Sequence, residues 1–317
     1  MTIFSSRSVD TAQDQKQLID FWIDHRAAGD VRRYLTTWRL RLLLTSRVWN
    51  VEKDTRIWET AAGQIAGMAM LWRRKPSSPY LVLECLVQPK LATEEFLSEL
   101  IRWADQRAGE IAQEQGGELS VYAAGFPQHE YSARRMKDFG YTLIPPNPEQ
   151  GNVYFARALK DEIVRPGLPQ GYRICQLRNE EDIAAYQAAY GFAQVSPFHL
   201  REQIESDEYS HLLVKDAENG IAAYCECSIC REEWEASRQR IGWIDYVETV
   251  AEQQGKGLGQ AILIEGLRQL KAWGAEVAML VTMRGNVQAM GLYRKTGFEE
   301  VEVHEQPGYQ KLVDIPG

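Results

Sequence analysis

The chain has 317 residues, 44% of them hydrophobic and 25% charged, with a formal net charge of −8. That is enough apolar material for one large core or two ordinary ones, and usual domain sizes favour two. The acidic balance argues against a nucleic-acid partner, since a phosphate backbone needs a basic face. No apolar run approaches the roughly 18 residues of a membrane span, and residues 1–5 lack a basic-then-apolar signal layout, so a cytoplasmic protein without membrane contact is expected.

In chain order, Arg7, Ser8 and Val9 read as a first strand feeding a helix at 13–25. Residues 80–89 form a strand-like run, and 90–96 follow it without a glycine but with Glu94 and Glu95. A helical segment then closes on Gly140-Tyr141. Residues 161–171, with Pro166, Gly167, Pro169 and Gly171, read as a connector. The plan then repeats, with a strand at 173–177 and a helix at 180–190.

Cys225, Cys227 and Cys230 follow in a strand-like run. A structural zinc site needs four ligands, and no second Cys-x-x-Cys pair exists. Cys225 and Cys227 share one face of an extended strand, so buried thiols in a reducing compartment are expected and no metal is. His25, His129, His199, His211 and His304 lack metal-ligand spacing.

Residues 241–250 alternate and are rich in β-branched and aromatic side chains, as a half-buried strand is. Ala261, Ile262, Ile264, Leu267 and Leu270 recur with helical spacing up to Trp273-Gly274. Between them lie Gly255, Gly257 and Gly259, which therefore sit at a helix N-terminus. There, unpaired backbone N–H groups and the positive helix end suit a phosphate. A Walker loop is excluded because Gly255-Lys256 is followed by Gly257 instead of Ser or Thr. A dinucleotide fingerprint is excluded because Gln260 or Ile262 stands where its third glycine belongs. What fits is Gln254-x-x-Gly257-x-Gly259, which resembles the acyl-CoA loop of the GNAT acyltransferases, with a plain glycine turn as the other reading. After a strand-like run at 277–283, Asn286, Ala289, Leu292, Tyr293, Gly297 and Phe298 are similar to the second signature of that family.

The resemblance implies an α/β (α+β) fold of two tandem acyl-CoA N-acyltransferase-like domains, each a mixed, mainly antiparallel sheet flanked by helices. The expected division is a degenerate, structural domain at 1–160, a linker at 161–171 and an acetyl-CoA-binding catalytic domain at 172–317. In the first copy, His129, Ser132 and Met136 align with Asn286, Ala289 and Tyr293, and the glycine loop is absent. A tandem plan with an eroded first copy also resembles the mycothiol synthase branch of the family.

The activity implied is transfer of an acetyl group from acetyl-CoA to a primary amine of a small molecule, by direct attack in a ternary complex. The alternative is a non-catalytic acyl-CoA-binding sensor or interaction protein. Main-chain N–H groups of Gln254, Gly255, Lys256, Gly257, Leu258, Gly259 and Gln260 are expected to hold the pyrophosphate, with the Lys256 side chain either a charge partner or a solvated loop lysine. Thr249 and Val250 are expected to pair with the pantetheine arm, and a backbone N–H there to receive the thioester oxygen. Asn286 either bonds that arm or caps its helix. Tyr293 stands at the general acid's position, with core packing as its alternative. For the base, unbroken strand alternation puts Asp245 on the face of Thr249 and Glu248 on the opposite one, so Asp245 comes first, Glu248 second and Glu226 third. Acceptor contacts are expected around 190–208 and 231–240, with Phe192, Phe198, His199, Trp234, Glu232, Glu233 and Glu235, a solvated charged loop anchored by its aromatics being the other reading.

Overall fold

A computed structural model of the chain describes residues 4–29, 35–46, 48–73, 75–124, 132–145, 151–190, 197–301 and 308–313. The first half contains β1 (Ser5–Ser8), α1 (Thr11–Ala28), α2 (Thr37–Leu44), α3 (Val51–Asp54), β2 (Thr55–Glu59), β3 (Ile65–Trp72), β4 (Tyr80–Val87), α4 (Glu94–Gln115), β5 (Leu119–Ala124), α5 (Ser132–Asp138) and β6 (Thr142–Leu143). The chain continues through β7 (Asn152–Ala158), β8 (Arg173–Gln176), α6 (Glu180–Tyr190), α7 (Pro197–Glu205), β9 (Tyr209–Lys215), β10 (Ile221–Ser228) and α8 (Arg231–Ser237). It ends with β11 (Ile241–Thr249), α9 (Leu258–Ala272), β12 (Val277–Met283), α10 (Val287–Lys295), β13 (Glu299–Val301) and β14 (Gly308–Val313). No helix among the described residues is long and apolar enough to cross a membrane.

The strands form two mixed sheets, ordered β1-β2-β3-β4-β5-β14-β6 and β13-β7-β12-β11-β10-β9-β8. Each is antiparallel except for one parallel pair, β4 with β5 and β11 with β12. Read from β1 and from β8, the two orders are the same, as a duplicated plan requires, with one exchange. The strand between β5 and β6 is β14, from the end of the chain, and the strand between β12 and β13 is β7, from its middle. β14 pairs antiparallel with β5 from Gly308 opposite Ala124 to Val313 opposite Leu119. β7 pairs along β12 from Val277 opposite Ala158 to Met283 opposite Asn152.

The exchange displaces the domain boundaries expected from sequence. One compact unit takes the described residues up to 145 together with 308–313, and the other takes 151–301. The expected linker at 161–171 packs within the second unit. Ile163 is buried in its core, Arg165 pairs with Glu265 at 2.6 Å, and Arg268 donates to the Ile163 carbonyl at 2.8 Å. Proline and glycine here shape a strap along a helix, and the apolar Ile163 anchors it.

In the first unit, Arg7 on β1 bonds Asp14 on α1 at 2.6 Å and Glu59 on β2 at 2.9 Å. The Arg7 hydrogen bonds hold the Asp14 carboxyl below the usual carboxylate range. In the second unit, α9 lays Leu258, Ile262, Leu263, Leu267 and Leu270 into a core shared with Cys225, Cys227, Ile244 and Phe155. Each such side chain, fully buried, contributes roughly 1.5–3 kcal/mol, so this face fixes where the N-terminus of α9 lies.

Candidate active site

The parallel ladder between β11 and β12 is short: Ile241, Gly242 and Trp243 face Val277, Ala278 and Met279, and pairing stops there. β12 runs on to Met283 bonded to β7, and β11 runs on to Thr249 bonded to β10. Their inner edges therefore part and leave a gap. Val250 donates its N–H to the Ala222 carbonyl at 3.0 Å. By antiparallel alternation, Val247 and Thr249 then turn their main-chain groups away from β10 and into the gap. Gln254 closes the end of β11 by donating its side-chain amide to the Thr249 carbonyl at 3.3 Å.

At this end of the gap stands the glycine loop. Gly257 occupies the N-cap of α9 with φ 79° and ψ 3°, a left-handed conformation that side chains resist, and Gly255 has φ 79°. No side chain caps the helix, and the first N–H bonded across its start is that of Ala261, to the Gly257 carbonyl at 3.0 Å. The N–H groups of Leu258, Gly259 and Gln260 thus remain without partners among the described residues. A Cβ on Gly255 or Gly257 would meet nothing within 4 Å, whereas one on Gly259 would lie 2.9 Å from Thr249 Oγ1. The first two glycines leave room in front of the amides, and the third lets helix and strand close on each other. Lys256 bends back, donating to Gln253 Oε1 at 2.6 Å and to the Tyr172 hydroxyl at 3.0 Å.

The first unit is built differently at the matching place. A 3-10 turn at Pro89–Leu91 precedes α4, and Thr93 caps that helix by accepting from the Phe96 N–H at 3.2 Å. Glu94 in its first turn is ion-paired with Arg135. Met136 is buried. His129 lies outside the described residues, as does the side chain of Ser132.

α10 borders the loop, since Leu292 lies 3.7 Å from the Cβ position of Gly259. Asn286 caps α10, its Oδ1 accepting from the Ala289 N–H at 3.3 Å, which is the second of its two readings. Tyr293 is 6% exposed, with its ring centroid 5.5 Å from that of Phe155 and 6.1 Å from that of Phe298. Its hydroxyl has no hydrogen bond to another described residue, and burial pushes its pKa up to about 12. Core packing and an unengaged phenol coexist at this position.

The alternation that would put Asp245 on the face of Thr249 is broken at Asp245 itself. Glu226 pairs with Tyr246 and Cys227 with Ile244, so Asp245 is an extra, bulged residue. Before the bulge Ile244 faces α9; after it Val247 and Thr249 do, while Tyr246 and Glu248 turn to the opposite face. Glu248 accepts from the Tyr224 hydroxyl at 3.0 Å, and the Tyr246 ring stacks on that of Tyr224 at 5.3 Å. Asp245 lies within electrostatic reach of Tyr209, Cys225 and Cys227.

On the same face, one strand from the gap, is a cluster that sequence reasoning touched only through Glu226. Tyr186 and Tyr209 both donate hydroxyls to its carboxylate, Tyr209 at 2.6 Å, and His211 Nδ1 lies 3.7 Å away. The signal was the alternation of Tyr224, Glu226 and Ser228 opposite the cysteines. The cysteines themselves are buried, and burial raises the thiol pKa of Cys225 and Cys227. Of the expected acceptor contacts, Trp234 anchors to the core, donating to the Ile241 carbonyl at 2.7 Å, and Glu233 is buried. Glu232 and Glu235 lie on α8 beside it. Phe192 and the side chains of Phe198 and His199 fall outside the described residues.

A gap between parallel strands, ended by an uncapped glycine-rich helix start, is the arrangement expected of an acyltransferase that draws on an acyl-CoA. Residues 172–298, in the C-terminal half, match the acetyltransferase (GNAT) family, and the two mixed sheets share the tandem, two-domain fold of solved GNAT proteins. It is 28% identical over 264 residues to a mycothiol acetyltransferase of Saccharomonospora viridis, covering 78% of this chain and 80% of the relative. A mycothiol acetyltransferase of Pseudarthrobacter chlorophenolicus is 26% identical over 268 residues, covering 81% and 77%. A solved tandem GNAT protein from the clavulanic acid biosynthesis pathway shares the fold with a TM-score of 0.69 at 12% identity, covering 99% of this chain and 100% of that one.

Proposed function

We propose that the protein transfers an acetyl group from acetyl-CoA to a primary amine of a small molecule, by direct attack in a ternary complex. The observation that carries this reading is the row of unpartnered N–H groups at Leu258, Gly259 and Gln260 opening onto the gap beside β11. A pyrophosphate satisfies those donors and the positive end of α9 together, and the open space before Gly255 and Gly257 admits it. The pantetheine arm then runs in the gap, bonded to the main chain of β11 at Val247 and Thr249 instead of at Val250, whose N–H is held by the Ala222 carbonyl, with Gln254 bracing the turn. The Asn286 side-chain NH2 remains to bond the arm while its oxygen caps α10. The back-bent Lys256 gives the loop positive charge without a direct phosphate contact.

In the reaction the acceptor ammonium loses one proton to a carboxylate, Asp245 or Glu248, directly or through water. The neutral nitrogen attacks the thioester carbonyl, and the C–N bond forms as the C–S bond breaks. The second N–H proton leaves to solvent, and Tyr293 protonates the departing sulfur, recovering its proton from water. With its pKa pushed up to about 12, the phenol is fully protonated at neutral pH and able to donate. The products are the acetamide and the free thiol of CoA. The first unit, with its capped α4 and the Glu94–Arg135 pair, has a structural role.

The mycothiol acetyltransferase name of the relatives supports a small-molecule acceptor. Release of CoA thiol from acetyl-CoA across a panel of primary amines tests the reading. Turnover with at least one amine is expected, and acetyl-CoA binding without turnover of any amine contradicts it.

A further inference from the structure

The Glu226 cluster is an unbalanced negative site. Glu226 and Glu248 have no lysine or arginine partner among the described residues, and Glu226 stays 16% exposed at its side chain. Two tyrosine hydroxyls fill part of the Glu226 carboxylate's lone-pair capacity and fix its orientation, leaving room for another donor. His211 points to what that donor is. His211 is 4% exposed, Nε2 lies 3.0 Å from Gln203 Oε1, an atom that only accepts, and Nδ1 has no hydrogen-bond partner. Nδ1 therefore turns a lone pair toward Glu226 Oε1 at 3.7 Å, so two acceptors face each other with no hydrogen between them. Burial lowers the pKa of His211 and keeps the ring neutral, so it does not cancel the carboxylate. A group with several N–H donors and a positive charge satisfies both acceptors.

The surrounding surface adds a second constraint. Tyr246 is 43% exposed, and its ring continues the Tyr224 stack at the edge of the gap. Across the gap, Val281 and Met283 share the face of Met279 and Trp243 and are 45% and 58% exposed. Tyr246, Val281 and Met283 make that strip apolar, and none of these described side chains offers a cation to an acid group. It suits a flat or aliphatic body, as aromatic faces beside carboxylates do for organic cations.

We propose that the acceptor is a primary alkylammonium carried on an apolar, aromatic-sized body without an acid group, and that Glu226 is the side chain that binds its cationic nitrogen. The inference rests on the acetyl-transfer reading of the adjoining gap. It differs from a general amine specificity in predicting which amines fail: amino acids lose to the matching decarboxylated amine, and polyhydroxylated amines lose to apolar ones.

The test measures thiol release with 2-phenylethylamine, phenylalanine and glucosamine at fixed acetyl-CoA. The expected kcat/KM is about tenfold or more higher for 2-phenylethylamine than for either of the others. In Glu226→Gln, the KM for 2-phenylethylamine is expected to rise about tenfold or more while that for acetyl-CoA stays within about twofold, and Glu226→Asp recovers part of the loss. The unchanged acetyl-CoA value shows that the variant is folded. Preference for phenylalanine or glucosamine, or an unchanged amine KM in Glu226→Gln, overturns this inference alone. Failure of the unaltered protein to bind acetyl-CoA overturns the acetyl-transfer reading and this inference with it.

Discussion

Tyr293→Phe separates the proposed acid chemistry from packing, because the ring makes the core contacts and the hydroxyl makes none. The ring packs against Phe155 and Phe298, and phenylalanine keeps those contacts. The hydroxyl bonds no other described residue, so its removal leaves no buried partner unsatisfied, and the stability change should stay under about 0.5 kcal/mol. A general acid contributes about 10²–10⁴-fold in rate, or roughly 2.7–5.4 kcal/mol of barrier, several times the stability effect. Thermal denaturation, acetyl-CoA calorimetry and steady-state thiol release on the same preparation read the three quantities. The expected result is an unchanged Tm, unchanged acetyl-CoA affinity and a kcat lower by about 100-fold or more. The pKa pushed up to about 12 also sets the pH dependence of the unaltered enzyme. A raised value keeps the phenol protonated past the ordinary tyrosine pKa near 10, so no descending limb from Tyr293 is expected between about pH 8 and 10. A variant kcat within about threefold of wild type refutes the acid role, and a stability loss above about 2 kcal/mol refutes the unengaged hydroxyl.

Four further outcomes follow from the structure. Ending the chain after residue 304 removes β14, so β5 loses its antiparallel partner, and amide exchange at Leu119–Ala124 should accelerate; unchanged protection contradicts the exchange. Residues 172–317 expressed alone lack β7, which leaves β12 without a neighbour on one side and the core without Val153 and Phe155; an insoluble or molten product is expected, and a cooperative unfolding transition argues otherwise. Gly259→Val places a branched side chain where even a Cβ lies 2.9 Å from Thr249 Oγ1, which should cost about 1–3 kcal/mol in denaturant unfolding and weaken acetyl-CoA binding. For Asp14, the folded pKa is depressed by Arg7. The stabilisation it supplies is complete above the unfolded value of about 3.9 and is lost as pH falls through the folded value, so Asp14→Asn should flatten the acid limb of stability below about pH 5.

The parts legible in the sequence were those with local causes. Gly255, Gly257 and Gly259 announce backbone geometry through their own residue type, and the strand and helix around them follow from periodicity. The repeated plan was visible because each half starts with a strand and a helix and ends its last helix on glycine, at Gly140 and Gly297. What escaped depends on pairing. Nothing in residues 152–158 or 308–313 says which sheet each strand joins, because partner choice is a long-range event. The bulge at Asp245 is a one-residue slip against Glu226 and Cys227, invisible in a strand read by itself, and it reverses the face of every later residue. Tyr186 on α6, Tyr209 and His211 on β9, and Glu226 on β10 converge only once the sheet is assembled.

Main-chain amides at the start of α9 are proposed to hold the pyrophosphate of the acyl donor. A crystal structure with acetyl-CoA bound tests it most directly. Pyrophosphate oxygens are expected within about 3 Å of the N–H groups of Leu258, Gly259 or Gln260, with the pantetheine arm between β11 and β12. Acetyl-CoA bound elsewhere on the chain, with those amides facing only solvent, contradicts it.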